Sequence, residues 1–162
     1  RFKDQEHDFN QQVSQKSYWF RWLWYKDNQT RNNLMKKKYL IVIADYYEDI
    51  AKGLFESALK LIPKSNSIKI IRVPGVFEIP VTISKNIKKF DAFIALGCVI
   101  KGETPHFDFI SQASTNAIMH LSITNKKPIG NGIITCLNMA QAKIRKKKGA
   151  EAANAVLSIL SQ

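Results

Sequence analysis

The chain is poor in acid, poor in cysteine and without any long apolar run. Its longest apolar stretches, such as "DAFIALGCVI" at 91–100, are the length of strands. A helical membrane span needs roughly 20 apolar residues, so none is expected. The first residues hold neither an uninterrupted apolar core nor a small-residue cleavage site, which predicts a cytoplasmic protein without a secretory signal. The two cysteines, Cys98 and Cys136, belong to no CxxC and to no metal-ligand spacing. That excludes a disulfide framework and a zinc cluster, and leaves two free thiols. Acidic residues number 13 against 25 Lys and Arg, for a formal charge of +12. Such a charge admits nucleic acid, an anionic membrane surface or a phosphorylated small molecule as partner. The basic residues are scattered over several elements, however, with no recognition helix and no RNP-like aromatic strand, so no nucleic-acid partner is expected.

The 162 residues suffice for one domain, and the pattern divides near Met35. Residues 1–34 are polar, rich in Gln and Asn, and broken by the aromatic burst "SYWFRWLWY" at 17–25. They show no sustained apolar period. The expectation is a disordered extension, or sequence upstream of a start at Met35, in preference to a membrane-surface anchor. From 35 to 162 the pattern is regular. "KKYLIVIADY" reads as a buried strand, and "EDIAKGLFESALKLI" carries apolar residues at helical spacing. "SIKIIRV" alternates as a strand and "PGVFEIPVTISKNIKKF" leads into a helix. "DAFIALGCVI" is a central strand by its continuous hydrophobicity, followed by the helix "HFDFISQASTNAIMHLSIT". The strand "KPIGNGIIT" and one last helix with a basic interruption close the chain. Four strand–helix alternations predict an α/β domain of three layers around a parallel four-stranded sheet.

In open parallel sheets, ligands bind outside the carboxyl ends of the strands. That rule selects the loops at 44–48, 73–78, 100–106 and 135–138. In "KGETPH", Gly102 is expected to turn the backbone off the strand, and Pro105 suits the first turn of a helix. Backbone N–H groups at that helix start form an anion site, with Thr104 as a further donor. His106, one of three histidines, would stand beside the anion, where a histidine can move protons near neutral pH. The plainer alternative is that Thr104 caps the helix and His106 is a solvated first-turn residue. In "VPGVFEIP", two prolines bracket a glycine turn. Glu78 there either complements the helix dipole or hydrogen-bonds a polyol. Tyr46 or Tyr47 offers a face for a flat heterocycle, the other packing under the helix. Arg145, among lysines, becomes a ligand only if a phosphate lies near.

The segments "VPGVFEIP", "ALGCVIKGETPHFDFI", "PIGNGIIT" and "KGAEAA", in this order, resemble the 6,7-dimethyl-8-ribityllumazine synthases of riboflavin biosynthesis. The resemblance runs from about residue 38 to 160 and implies a flavodoxin-like fold. It further implies condensation of 5-amino-6-(D-ribitylamino)uracil with 3,4-dihydroxy-2-butanone 4-phosphate, without metal or organic cofactor. By motif, His106 would transfer protons. Tyr46, Val76, Phe77, Glu78, Cys98, Val99 and Ile100 would hold the ribitylaminouracil, joined by Asn131 from a neighbouring subunit. Glu103, Thr104 and Arg145 would hold the phosphate, with Lys148 a weaker candidate. The implied partners are copies of the same chain in pentamers, in some members gathered into an icosahedral shell, and a riboflavin synthase.

This chain departs from the family pattern in three places. Asp45–Tyr46 stands where "RF" is frequent, Asn131 stands where many members carry an aromatic, and the connection after Arg145 is short. Weaker substrate binding is expected from the first, since Asp for Arg inverts a charge near the site. The competing function is a flavodoxin-like module that holds a flavin or nucleotide without this reaction; His106 beside the phosphate loop argues against it.

Overall fold

The computed structural model describes residues 36–162. The expected extension at 1–34, with its aromatic burst, lies outside the described residues. Four strands form one sheet: β1 (Lys38–Ala44), β2 (Ser67–Val73), β3 (Ala92–Ile100) and β4 (Ile129–Cys136), in the order β2-β1-β3-β4. All three pairings are parallel, with Ile41 opposite both Ile70 and Ile94, and Ala95 opposite Asn131. The helices are α1 (Glu48–Leu59), α2 (Ile79–Asn86), α3 (His106–Asn125), α4 (Met139–Ile144) and α5 (Lys148–Leu160), with a short 3-10 turn at Val76–Glu78 before α2.

The strand β1 is apolar without alternation because both of its faces are covered. Tyr39, Ile41 and Ile43 pack in one core with Ile50 and Leu54 of α1 and Ala152 and Val156 of α5. Leu40 and Val42 pack in the other with Ile79 and Ile83 of α2 and Ile118 of α3. Each fully buried Ile or Leu stabilises the fold by about 1.5–3 kcal/mol relative to exposure. The result is the expected three-layer α/β arrangement. Lys127, just beyond α3, ties the second layer together by donating to the carbonyls of Ile87 (2.7 Å) and Phe90 (2.5 Å) behind α2.

The last helix of the sequence reading is two helices. Residues 145–147 form a turn, with the Lys148 N–H donating to the Arg145 carbonyl at 2.9 Å. Lys143 and Lys147, four positions apart, would repel on one face of a continuous helix, and Lys146 is drawn aside to Asp49 at 2.6 Å. The Ser57 hydroxyl fixes the same turn by donating to the Lys146 carbonyl at 2.9 Å. Among the described residues no helix is long and apolar enough to cross a membrane.

Candidate active site

The sheet order places the reversal of strand order between β1 and β3, where open α/β sheets carry their ligands. A cavity of about 560 Å³ lies there, within the roughly 300–1,000 Å³ usual for small-molecule sites. Three loops build it. The loop after β1 contributes Tyr46 and Tyr47, the segment after β2 contributes Gly75 to Glu78, and the end of β3 contributes Cys98, Val99 and Ile100. His106 and Ile110, one helical turn apart at the start of α3, complete the lining.

Burial separates the two tyrosines. Tyr46 is 74% exposed at the mouth, while Tyr47 packs against the core beneath α1. Their rings meet edge to face, with centroids 4.9 Å apart and planes at 76°. Burial, then the neighbouring Tyr46 and Cys98, raises the Tyr47 phenol above its ordinary range. Burial likewise pushes the Cys98 thiol up to about 12, with Cys136 adding to the shift. Both groups are therefore neutral at physiological pH, and the floor of the cavity is uncharged. The rest of the lining adds the Glu78 carboxylate, the His106 ring and the Tyr46 hydroxyl.

The glycines act differently from the sequence expectation. Gly102 does not use a left-handed conformation, and a side chain there would meet open space. Gly75 is extended, at φ −146°. Its missing Cβ instead makes room for the Glu78 carboxylate, whose Oε2 would lie 3.0 Å from it. Gly97 matters by the same logic, since a Cβ there would stand 2.9 Å from Val76 Cγ2 and 3.2 Å from Ala44 Cβ. That close approach seats the 3-10 turn over β3. Tyr47, the alternative to Tyr46 in the sequence, lines the pocket as well, whereas Gly97 and the lining residues Gly75 and Ile110 were not singled out as pocket residues by sequence reasoning. Ile110 was accessible to it, as the apolar residue one turn beyond His106.

Thr104 does not cap α3, whose first turn has no side-chain cap; Pro105 is the residue before the helix. Glu103 and Thr104 are exposed on the intervening loop and do not line the cavity. Arg145 also stands outside the lining, its guanidinium donating to the Gln141 carbonyl at 3.1 Å. Lys148 is engaged by Glu151 at 2.5 Å. Asn131 is exposed in the middle of β4, where its Oδ1 accepts from the Ile133 N–H at 3.1 Å. Within one chain, then, the pocket gathers the residues expected for the pyrimidine, Asn131 excepted, and for the proton, and leaves those expected for the phosphate apart. Asp45, whose charge stood out in the sequence, is answered by Arg72 at 2.7 Å. Among the described residues no group of three His, Cys, Asp or Glu side chains is arranged to hold a metal.

The profile of one family, 6,7-dimethyl-8-ribityllumazine synthase, matches residues 36–162. A protein of that name from Nitrobacter hamburgensis is 39% identical over 143 residues, covering 80% of this chain and 88% of its own length. One from Agrobacterium fabrum is 39% identical over 140 residues, covering 78% and 95%. A relative named 6,7-dimethyl-8-ribityllumazine synthase 1, from Rhodopseudomonas palustris, is 42% identical over 134 residues, covering 75% and 82%. With the parallel fold and the pocket at its strand-order reversal, these matches mean that the chain belongs to the 6,7-dimethyl-8-ribityllumazine synthase family.

Proposed function

We propose that the chain joins 5-amino-6-(D-ribitylamino)uracil to 3,4-dihydroxy-2-butanone 4-phosphate, releasing 6,7-dimethyl-8-ribityllumazine, phosphate and water. The observation that carries this is the single cavity in which an exposed aromatic, a carboxylate and a histidine converge. The substrate amine attacks the ketone and forms an imine with loss of water. Phosphate is then eliminated, and the ribityl-bearing nitrogen closes the ring with loss of a second water. The nucleophile belongs to the substrate, so holding two reactants together supplies much of the rate. Tyr46 stacks on the pyrimidine, Glu78 accepts from the ribityl hydroxyls beside Val76 and Phe77, and the backbone of Cys98, Val99 and Ile100 reads the ring edge. His106 takes and returns protons through the imine, elimination and cyclisation steps. The uncapped start of α3, with Glu103 and Thr104, receives the phosphate through backbone N–H groups. Arg145, and more weakly Lys148, would turn from their present partners toward that charge.

The working form in this reading is a pentamer-based homo-oligomer in the cytoplasm. Phe77 and Val81 are 60% and 55% exposed on an apolar groove between α2 and α3. The Ser114 hydroxyl is buried on that groove without a hydrogen-bond partner among the described residues. A neighbouring copy covering this face would bring its Asn131 to the pocket. A riboflavin synthase, which consumes the product, is the partner implied, and its co-elution with the assembly checks this.

The test mixes the full chain with both substrates and follows the fluorescence of the lumazine against a blank without enzyme, with His106→Ala alongside and light scattering on the same samples. Turnover well above the blank, lowered on the order of 10²-fold in the variant, is expected. Turnover untouched by the variant would remove His106 from the chemistry, and a fully active monomer would remove the shared site. Tight flavin or pyrimidine binding with no turnover would favour the binding module.

A further inference from the structure

We infer that Asp45 and Arg72 are a positioning pair that sets the width of the pyrimidine pocket; this rests on the function proposed above. Asp45 is the first residue after β1 and lies directly before Tyr46. Arg72 is the last but one residue of β2, ahead of the segment that carries Gly75, Val76, Phe77 and Glu78. Their 2.7 Å ion pair therefore joins the root of the aromatic wall to the root of the polyol-binding wall.

Apart from the packing of Tyr47 on the core, little else restrains the aromatic wall. Among the described residues, the bond to Arg72 is the only side-chain hydrogen bond made by residues 45–47. The remaining ties are backbone bonds, from the Asp45 N–H to the Val73 carbonyl at 2.9 Å and from the Ala51 N–H to the Tyr47 carbonyl at 2.9 Å. Tyr47 stands at the N-cap of α1 without capping it. Tyr46, exposed at the mouth, meets the Tyr47 ring edge to face. The pair also cancels the carboxylate's charge at the entrance. Asp45 thus acts on the site through Arg72 and the loop, and does not itself line the cavity.

A half-exposed ion pair has a small effect, and the expected change is correspondingly small. Asp45→Ala, Arg72→Met, their combination and the charge exchange D45R/R72D are compared in the full chain. Calorimetry gives the Kd of 5-amino-6-(D-ribitylamino)uracil, and steady-state kinetics give KM for each substrate and kcat. Each single substitution is expected to weaken pyrimidine binding about two- to fivefold. The combination should be no worse than either single change, and the exchange should recover part of the loss. KM for the phosphate-bearing substrate and kcat should stay within about twofold of the unmodified chain. Equal pyrimidine binding in all variants would overturn the proposal. So would additive losses, or a loss confined to Arg72→Met, which would mean that Arg72 touches the ligand itself. The proposed reaction is judged separately: an unmodified chain that binds the pyrimidine but makes no lumazine refutes the reaction and leaves the pair to be read from binding, whereas a chain that binds no pyrimidine refutes both.

Discussion

Gly149, the second residue of α5, lies against α1 so closely that one methyl group measures the fit. A Cβ at that position would stand 1.9 Å from the Leu54 carbonyl oxygen and 2.6 Å from the Ser57 hydroxyl. Ordinary contact begins near 3.5 Å, so the start of α5 must retreat by about 1.5 Å or α1 must bend. Overpacking of this kind costs about 1–3 kcal/mol. The retreat also strains the bond from the Ser57 hydroxyl to the Lys146 carbonyl, whose loss adds about 1 kcal/mol. Alanine returns at most about 1 kcal/mol through its higher helix propensity, and less in a first turn. The Gly149→Ala variant should therefore be destabilised by about 1–3 kcal/mol, lowering a urea midpoint by about 1 M for a chain of this size. Circular dichroism at one fixed protein concentration is the assay, because assembly makes stability depend on concentration. The same displacement moves residues 145–147, so KM for the phosphate-bearing substrate should rise more than KM for the pyrimidine. A midpoint equal to or above that of the parent would refute the close-packing argument.

Tyr46→Ala should leave the urea midpoint nearly unchanged, within about 0.5 kcal/mol, because the side chain is 74% exposed. It should raise KM for the pyrimidine about two- to tenfold, with Tyr46→Phe retaining most of the affinity; an unchanged KM would remove Tyr46 from the pocket's stacking face. The Cys98 thiol is held at about 12, above its ordinary value of 9.0, by burial and by Cys136. The folded chain then keeps a proton that the unfolded chain loses, so this contribution to stability is complete below pH 9 and declines as pH rises from 9 toward 12. Urea midpoints compared at pH 8 and pH 10 should fall, and the fall should shrink in Cys98→Ala; an equal fall in the variant would place the sensitive group elsewhere.

The strand and helix alternation was legible because each buried strand leaves a continuous apolar run and each helix a regular apolar stripe. The pocket's loops were legible for a chemical reason: prolines, an acid, tyrosines and a histidine gather at strand ends where packing alone does not require them. Strand order was not legible, since parallel pairing leaves no mark in adjacent residues; β1 and β2 meet only after α1 has crossed. The Asp45–Arg72 pair, 27 positions apart, is hidden for the same reason. Asp45 read alone is an inverted charge, whereas in the fold it is a neutralised one. Composition likewise could not tell Tyr46 from Tyr47, which the core of one face separates. Gly75 and Gly102 were read as turn formers because glycine permits turns. In the structure the space Gly75 leaves for Glu78 is the consequential property, and Gly102 shows no such constraint. The basic run after Arg145 signalled an interruption, but only the anchoring of Lys146 to Asp49 and Ser57 explains why it becomes a turn between two helices.

The walls of the pocket differ in how firmly they are rooted. His106 follows β3, an inner strand closed by a core on both faces. Glu78 follows β2, which is an edge among the described residues and has Ile70 43% exposed. Regions with fewer buried contacts open at lower free energy than the global unfolding. In the proposed reading the site would thus come apart in a fixed order, loosening around the polyol while the proton carrier is still in place. A partly loosened chain would retain its chemistry and lose its discrimination between a ribityl chain and a shorter one.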